Sequence, residues 1–95
     1  PLVANGARIS QNAAISPQAA VAEDTEVNAC TLGENVSVGV GARIDADARV
    51  ENTIILPRAQ IGKGARLAWC VVNEGTQVAD GTAVRGRPHA VEIVE

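Results

Sequence analysis

The sequence has no Phe, no Tyr and no Met, and only one Trp. A core built on aromatic packing is therefore excluded. Yet 46% of the residues are hydrophobic, so the interior must be Val, Ile, Leu and Ala. Such a composition suits a narrow prism of stacked, near-identical layers better than an irregular globule. Two Cys are too few for a disulfide scaffold, which fits a reducing, cytoplasmic setting. One His is too few for a histidine-based metal site. No apolar run approaches the roughly 20 residues that a membrane span needs, and no signal peptide is visible. Basic charge is also scarce. The net charge is -3 and the pI about 5.0, which argues against a nucleic-acid partner. No Met occurs even at the start, so the 95 residues read as one domain cut from a longer protein.

What the chain does have is a period of six. In Ile61-Gly62-Lys63-Gly64-Ala65-Arg66-Leu67 an aliphatic residue is followed by a turn, a small residue, a polar residue and the next aliphatic. Neither an amphipathic helix nor a plain alternating strand has that period; a parallel β-helix of hexapeptide repeats does. Fifteen such starts run from Val3 to Val84, in eleven steps of six and three of five. The short steps are Val27 to Leu32, Val50 to Ile55 and Leu67 to Val72.

Three hexads make one triangular coil, so about five coils begin at Val3, Val21, Val38, Ile55 and Val72. These five should stack in one column. Ile9, Val27, Ile44, Ile61 and Val78 form a second, and Ile15, Leu32, Val50, Leu67 and Val84 a third. The fifth hexad position is mostly Ala or Thr and should also point inward. Counting from the hexad start puts Thr31, Val36, Ile54 and Val71 in that inward set. Val36, Ile54 and Val71 then read as a bulkier stack compensating for the shortened corners. Fourth positions such as Gly6, Asn12, Asp24, Asn35, Gly41 and Asp47 suit a corner with positive φ. Residues 1–88 are assigned to the β-helix. Residues 89–95 are assigned to a tail or capping strand, expected to cover an open end or pair with another chain.

Candidate functional residues are few. His89 sits in the tail and reads as a surface residue. Gly39-Val40-Gly41 and the repeated Gly-Ala-Arg units are explained by the repeat, with no helix following to receive a phosphate. Cys30 and Cys70 fall at fourth positions two coils apart, which argues against a disulfide. Arg8, Glu26 and Arg43 alternate in sign down one column, as a ladder of surface ion pairs would. Arg49 and Arg66 share a column on adjacent coils; solvated like charges are one reading, an anion or partner site the other. Trp69 should point outward from a corner, with Leu56 and Val40 outward nearby, serving either an interface or local packing. Trp69, Leu56, Arg49 and Arg66 are the candidate interface residues. No residue is assigned a catalytic, cofactor-binding or metal-binding role.

Three phrases carry a family resemblance: Val50-Glu51-Asn52-Thr53-Ile54-Ile55-Leu56-Pro57, Ile61-Gly62-Lys63-Gly64-Ala65-Arg66-Leu67, and Asn73-Glu74-Gly75 leading to Asp80-Gly81-Thr82. They resemble the C-terminal β-helix of bacterial nucleotide-sugar pyrophosphorylases, of the mannose-1-phosphate guanylyltransferase and glucose-1-phosphate adenylyltransferase type. The resemblance implies a left-handed parallel β-helix of about five triangular coils, all-β, that contributes oligomer contacts and in some members regulation. It implies an upstream catalytic domain, absent from this chain, which joins a nucleoside triphosphate to a sugar 1-phosphate and releases pyrophosphate with a divalent metal such as Mg. The expected partners are a second copy of the chain and that catalytic domain. The alternatives are a fragment of a hexapeptide-repeat acyltransferase, which would need a His on a well-formed coil, and a non-enzymatic scaffold.

Overall fold

Twelve of the fifteen aliphatic residues that open a hexad end a short strand, Val50, Leu67 and Val84 sit in the middle of one, and the residues between strands make the corners. A computed structural model of the chain describes residues 1–95. The first coil holds β1 (Leu2–Val3), β2 (Arg8–Ile9) and β3 (Ala14–Ile15). The second holds β4 (Ala20–Val21), β5 (Glu26–Val27) and β6 (Thr31–Leu32). The third holds β7 (Ser37–Val38), β8 (Arg43–Ile44) and β9 (Arg49–Glu51). The fourth holds β10 (Ile54–Ile55), β11 (Gln60–Ile61) and β12 (Arg66–Ala68). The fifth holds β13 (Cys70–Val72), β14 (Gln77–Val78) and β15 (Ala83–Arg85), and β16 (Glu92–Val94) follows. There is no helix, and hence none long and apolar enough to cross a membrane.

The strands form three parallel sheets. The first runs β1-β4-β7-β10-β13-β16, the second β2-β5-β8-β11-β14, the third β3-β6-β9-β12-β15. The aliphatic columns stack in the register that the repeat predicts: Val3 on Val21 on Val38 on Ile55 on Val72, and likewise in the other two sheets. This is a parallel β-helix of about five coils. Its core is a single cluster of 19 buried residues, none of them aromatic. Burying each Val, Ile or Leu there stabilises by about 1.5–3 kcal/mol relative to exposure.

The corners explain the small-residue columns. In most full hexads the fourth residue adopts positive φ, as at Asp24 (57°), Asn35 (54°) and Gly64 (67°), while Gln18 does not. Asn12 departs from this expectation, whereas Arg58 (63°) joins the set. At two shortened corners a single residue does the same work, Asn52 (47°) and Trp69 (55°).

The shortened corners also correct the inward positions expected from counting. Cys30, Thr53 and Cys70 point into the core and are buried. Thr31 and Ile54 face outward and are exposed, and Val71 is half-buried on the same outward side. Only Val36 is inward as expected. The reason is the two-residue period of a strand: the residue just before an inward aliphatic must face out. The missing residue is therefore taken from the corner and never from the strand. Thr53 carries its hydroxyl into the core, where Oγ1 donates to the Glu51 carbonyl at 2.7 Å. No buried side-chain polar atom is left without a partner.

The tail joins its own prism. After β15 the chain makes a turn in which Arg87 and Ala90 exchange backbone hydrogen bonds at 3.0 Å. It then returns as β16, paired in parallel with β13, with Val94 continuing the first aliphatic column above Val72. Gly86 is buried where the chain leaves the coil. A Cβ there would collide with the Trp69 carbonyl oxygen, so only Gly fits.

Candidate interaction surfaces

A triangular prism presents three outer faces, and each is one column of outward residues from one sheet. The second sheet shows Arg8, Glu26, Arg43, Gln60 and Gln77. Its charges alternate as expected. Arg8 Nη2 lies 3.2 Å from Glu26 Oε1, and Arg43 Nε lies 3.4 Å from Glu26 Oε2 and 2.9 Å from Asp45 Oδ1. The Asp45 hydrogen bond, with the Asp45 and Glu26 charges, holds the Arg43 guanidinium still more firmly protonated. This face is a solvated, self-satisfied one.

The third sheet shows Ala14, Thr31, Arg49, Arg66 and Ala83. Arg49 and Arg66 are brought together as register partners. Neither is within ion-pair distance of a carboxylate, whereas Arg8, Arg43, Arg58 and Arg85 all are. Like charges directly opposite each other destabilise a sheet. Beside them runs a second outward column, Gly33, Glu51, Ala68 and Arg85. Arg85 Nη1 reaches Glu51 Oε1 at 3.7 Å, two coils away across Ala68, and Ala68 is buried although it lies outside the core. The two columns line a depression of about 460 Å³.

The first sheet is different in kind. Its outward residues are Leu2, Ala20, Ser37, Ile54, Val71 and Ile93. None is charged, and Ile54 (48%) and Ile93 (57%) keep about half their surface in solvent. Ile54, Val71 and Ile93 stack directly in register. Trp69 and Leu56, both half-buried, sit at the two corners flanking this face. The four candidate interface residues thus divide between two faces: Trp69 and Leu56 edge the first sheet, Arg49 and Arg66 lie on the third. Ile54, Val71 and Ile93 were not among the candidates. Their signal was the apolar sixth-position column, hidden because counting through the shortened corners turned Ile54 and Val71 inward.

No constellation for catalysis comes together. His89 is exposed in the turn after β15, on no coil, where an acyltransferase base would not sit. Cys30 and Cys70 are free, buried thiols in different columns. Burial pushes the Cys30 pKa up to about 11, and burial likewise raises that of Cys70, which is the reverse of what a nucleophile requires. No three His, Cys, Asp or Glu side chains converge. The chain's own residues therefore do not fit the divalent metal that the resemblance implies for the catalytic domain.

The family model of the GMPPB C-terminal domain matches residues 9–93. Among curated proteins, the glucose-1-phosphate adenylyltransferase of Bradyrhizobium diazoefficiens is 38% identical over 48 residues, covering 50% of this chain and 11% of that enzyme. That of Corynebacterium diphtheriae is 31% identical over 67 residues, covering 70% and 16%. That of Mannheimia succiniciproducens is 31% identical over 62 residues, covering 65% and 13%. The matched part of the chain spans only a small share of these relatives, 11–16% of their length. The match runs over nearly all of the β-helix, and the chain belongs to the GMPPB C-terminal domain family.

Proposed function

We propose that this chain is the assembly domain of a cytoplasmic sugar-1-phosphate nucleotidyltransferase, and that it works by docking its first sheet against that of a second copy. The parent reaction in this reading joins a nucleoside triphosphate and a sugar 1-phosphate to give a nucleotide sugar and pyrophosphate. The catalytic residues and the divalent metal belong to another domain of the parent, and the β-helix acts by position, holding catalytic domains at a set spacing. The similarity to glucose-1-phosphate adenylyltransferases supports the reaction class.

The observation that carries the assembly reading is the outer face of the first sheet. It is apolar along Ile54, Val71 and Ile93, while the other two faces carry charge. Contiguous exposed apolar surface of this kind marks an association site. A second copy is the occupant that fits. An uncharged flat face is complementary to itself across a two-fold axis, as an isologous dimer requires. The third sheet could not do this, since a dyad there would set unpaired Arg49 and Arg66 against their own copies. Size agrees too. The prism measures 32 × 23 × 22 Å, so one long face covers roughly 700 Å², near the ~800 Å² each partner gives to a standard interface.

The test is sedimentation velocity of the chain over a concentration series, beside Val71→Asp and Ile93→Asp. Both positions face outward, so the variants should keep a β-type circular dichroism spectrum and a cooperative melt. The expected result is a dimer for the unmodified chain and monomers for both variants. A chain that stays monomeric at high concentration, or variants that still dimerise, would remove this face from the interface.

A further inference from the structure

We infer that the third sheet carries a binding site for a single phosphate dianion, held between Arg49 and Arg66. The inference does not rest on the assembly reading, because it uses a different face of the prism. The two residues are register partners on adjacent coils, so their Cα atoms repeat at the sheet spacing of about 4.8 Å. Both side chains leave the same face and both are exposed. Each lacks a carboxylate partner in a chain whose net charge is -3, although four other arginines have one. Two unpaired like charges stacked this way are poorly placed alone and well placed around an anion.

The surroundings leave room for one. Arg49 and Arg66 line the 460 Å³ depression together with the small residues Gly33, Ala68 and Ala83. Thr31 sits one coil below Arg49 in the same column and offers a hydroxyl. The only carboxylate lining the depression is Glu51, and it is turned to Arg85. The backbone supplies nothing, because Arg49 N and Arg66 N already donate along the ladder to Ala65 O and Thr82 O.

The donor geometry selects the ligand class. A guanidinium is a planar fork that binds two oxygens at once. One fork satisfies a carboxylate, and the second arginine would be left over. A tetrahedral phosphate has oxygens enough for both forks, and its dianion matches both charges. A nucleic-acid backbone is a poorer fit, since the face holds two free cations and no aromatic platform. Free phosphate and a phosphate monoester present the same group to this site, so the source is decided by experiment.

The experiment is an amide NMR titration of the chain at constant ionic strength and mildly alkaline pH, with inorganic phosphate, methyl phosphate and acetate as probes. The expected result with inorganic phosphate is a saturable shift confined to Thr31, Arg49, Arg66 and Ala83. Acetate should bind at least several-fold more weakly. The double variant Arg49→Gln/Arg66→Gln should weaken phosphate binding about tenfold or more, since charge-assisted bidentate contacts are lost. Arg8→Gln, on the second sheet, should leave it unchanged, and Arg66→Lys should fall between, keeping charge without the fork. Methyl phosphate binding as well as inorganic phosphate would assign the site to monoesters; binding of inorganic phosphate alone would assign it to the free ion. Shifts that do not saturate, that acetate reproduces equally, or that persist in the double variant would overturn the site.

Discussion

At Cys30 a thiol occupies a position that Ala13, Ala48 and Ala65 fill in the same column of the third sheet. It is held by packing, and its burial is what raises its pKa from 9.0 to about 11. The folded state therefore keeps its proton at a pH where the unfolded chain loses it. Stability from this group is complete below pH 9 and is lost as pH rises toward about 11. The urea midpoint should accordingly drop between pH 8.5 and pH 10.5, with Cys70 contributing in the same direction. Cys30→Ala should reduce that slope, because Ala already serves the equivalent layer. An equal slope in the variant would show that the thiol is not the group responsible. Trp69 makes the opposite residue-scale point. Its type suggested a surface role, but its backbone is what the corner uses: φ is 55°, its N–H donates to the Glu51 carbonyl at 3.3 Å, and its own carbonyl accepts from Glu92 at 3.1 Å.

The element that decides the surface is the shortened corner. Strand alternation cannot be relaxed, because slipping by one residue would turn every side chain to the wrong face. Corners can lose a residue, since a single left-handed residue such as Asn52 turns the chain by itself. This places Thr53 in the core and Ile54 in solvent, and the pair gives a direct test. Thr53→Asp should abolish cooperative folding, because an uncompensated buried charge costs about 3–5 kcal/mol. At a concentration where the chain is monomeric, Ile54→Asp should leave stability within about 1 kcal/mol of the unmodified chain, as exposed substitutions do. Circular dichroism melts of the two variants decide it, and the reversed pattern would restore the register obtained by counting. Ile61, buried in the second column, belongs with Thr53: Ile61→Asp should also unfold the chain.

At the scale of the whole molecule, each coil's backbone ladder joins it only to its neighbours, so protection should grade along the prism. The strands of the first coil, β1, β2 and β3, pair on one side only, and Val3 is 43% exposed while Ile9 and Ile15 are half-buried. Coils three and four have a neighbour on each side. In hydrogen exchange, the Arg8 and Ala14 amides should exchange at least tenfold faster than those of Arg43 and Arg49, which make the same ladder bonds two coils further in. Uniform protection would mean that the prism opens only as a unit. The same contrast separates what one dimension of information determines from what three dimensions decide. The sequence by itself determined the β-helix, the three aliphatic columns and the Arg8-Glu26-Arg43 ladder. Each follows from a strict repeat in which identical environments recur every six residues and align without further choice. It did not determine the outward set on the first sheet, the inward thiols or the closure by β16. Those depend on where each irregular corner drops or adds residues, and only the ladder between coils decides that. Once the backbone hydrogen bonds lock Ile54 beside Ser37 and Val71, and Val94 above Val72, the apolar face and the sixth strand follow.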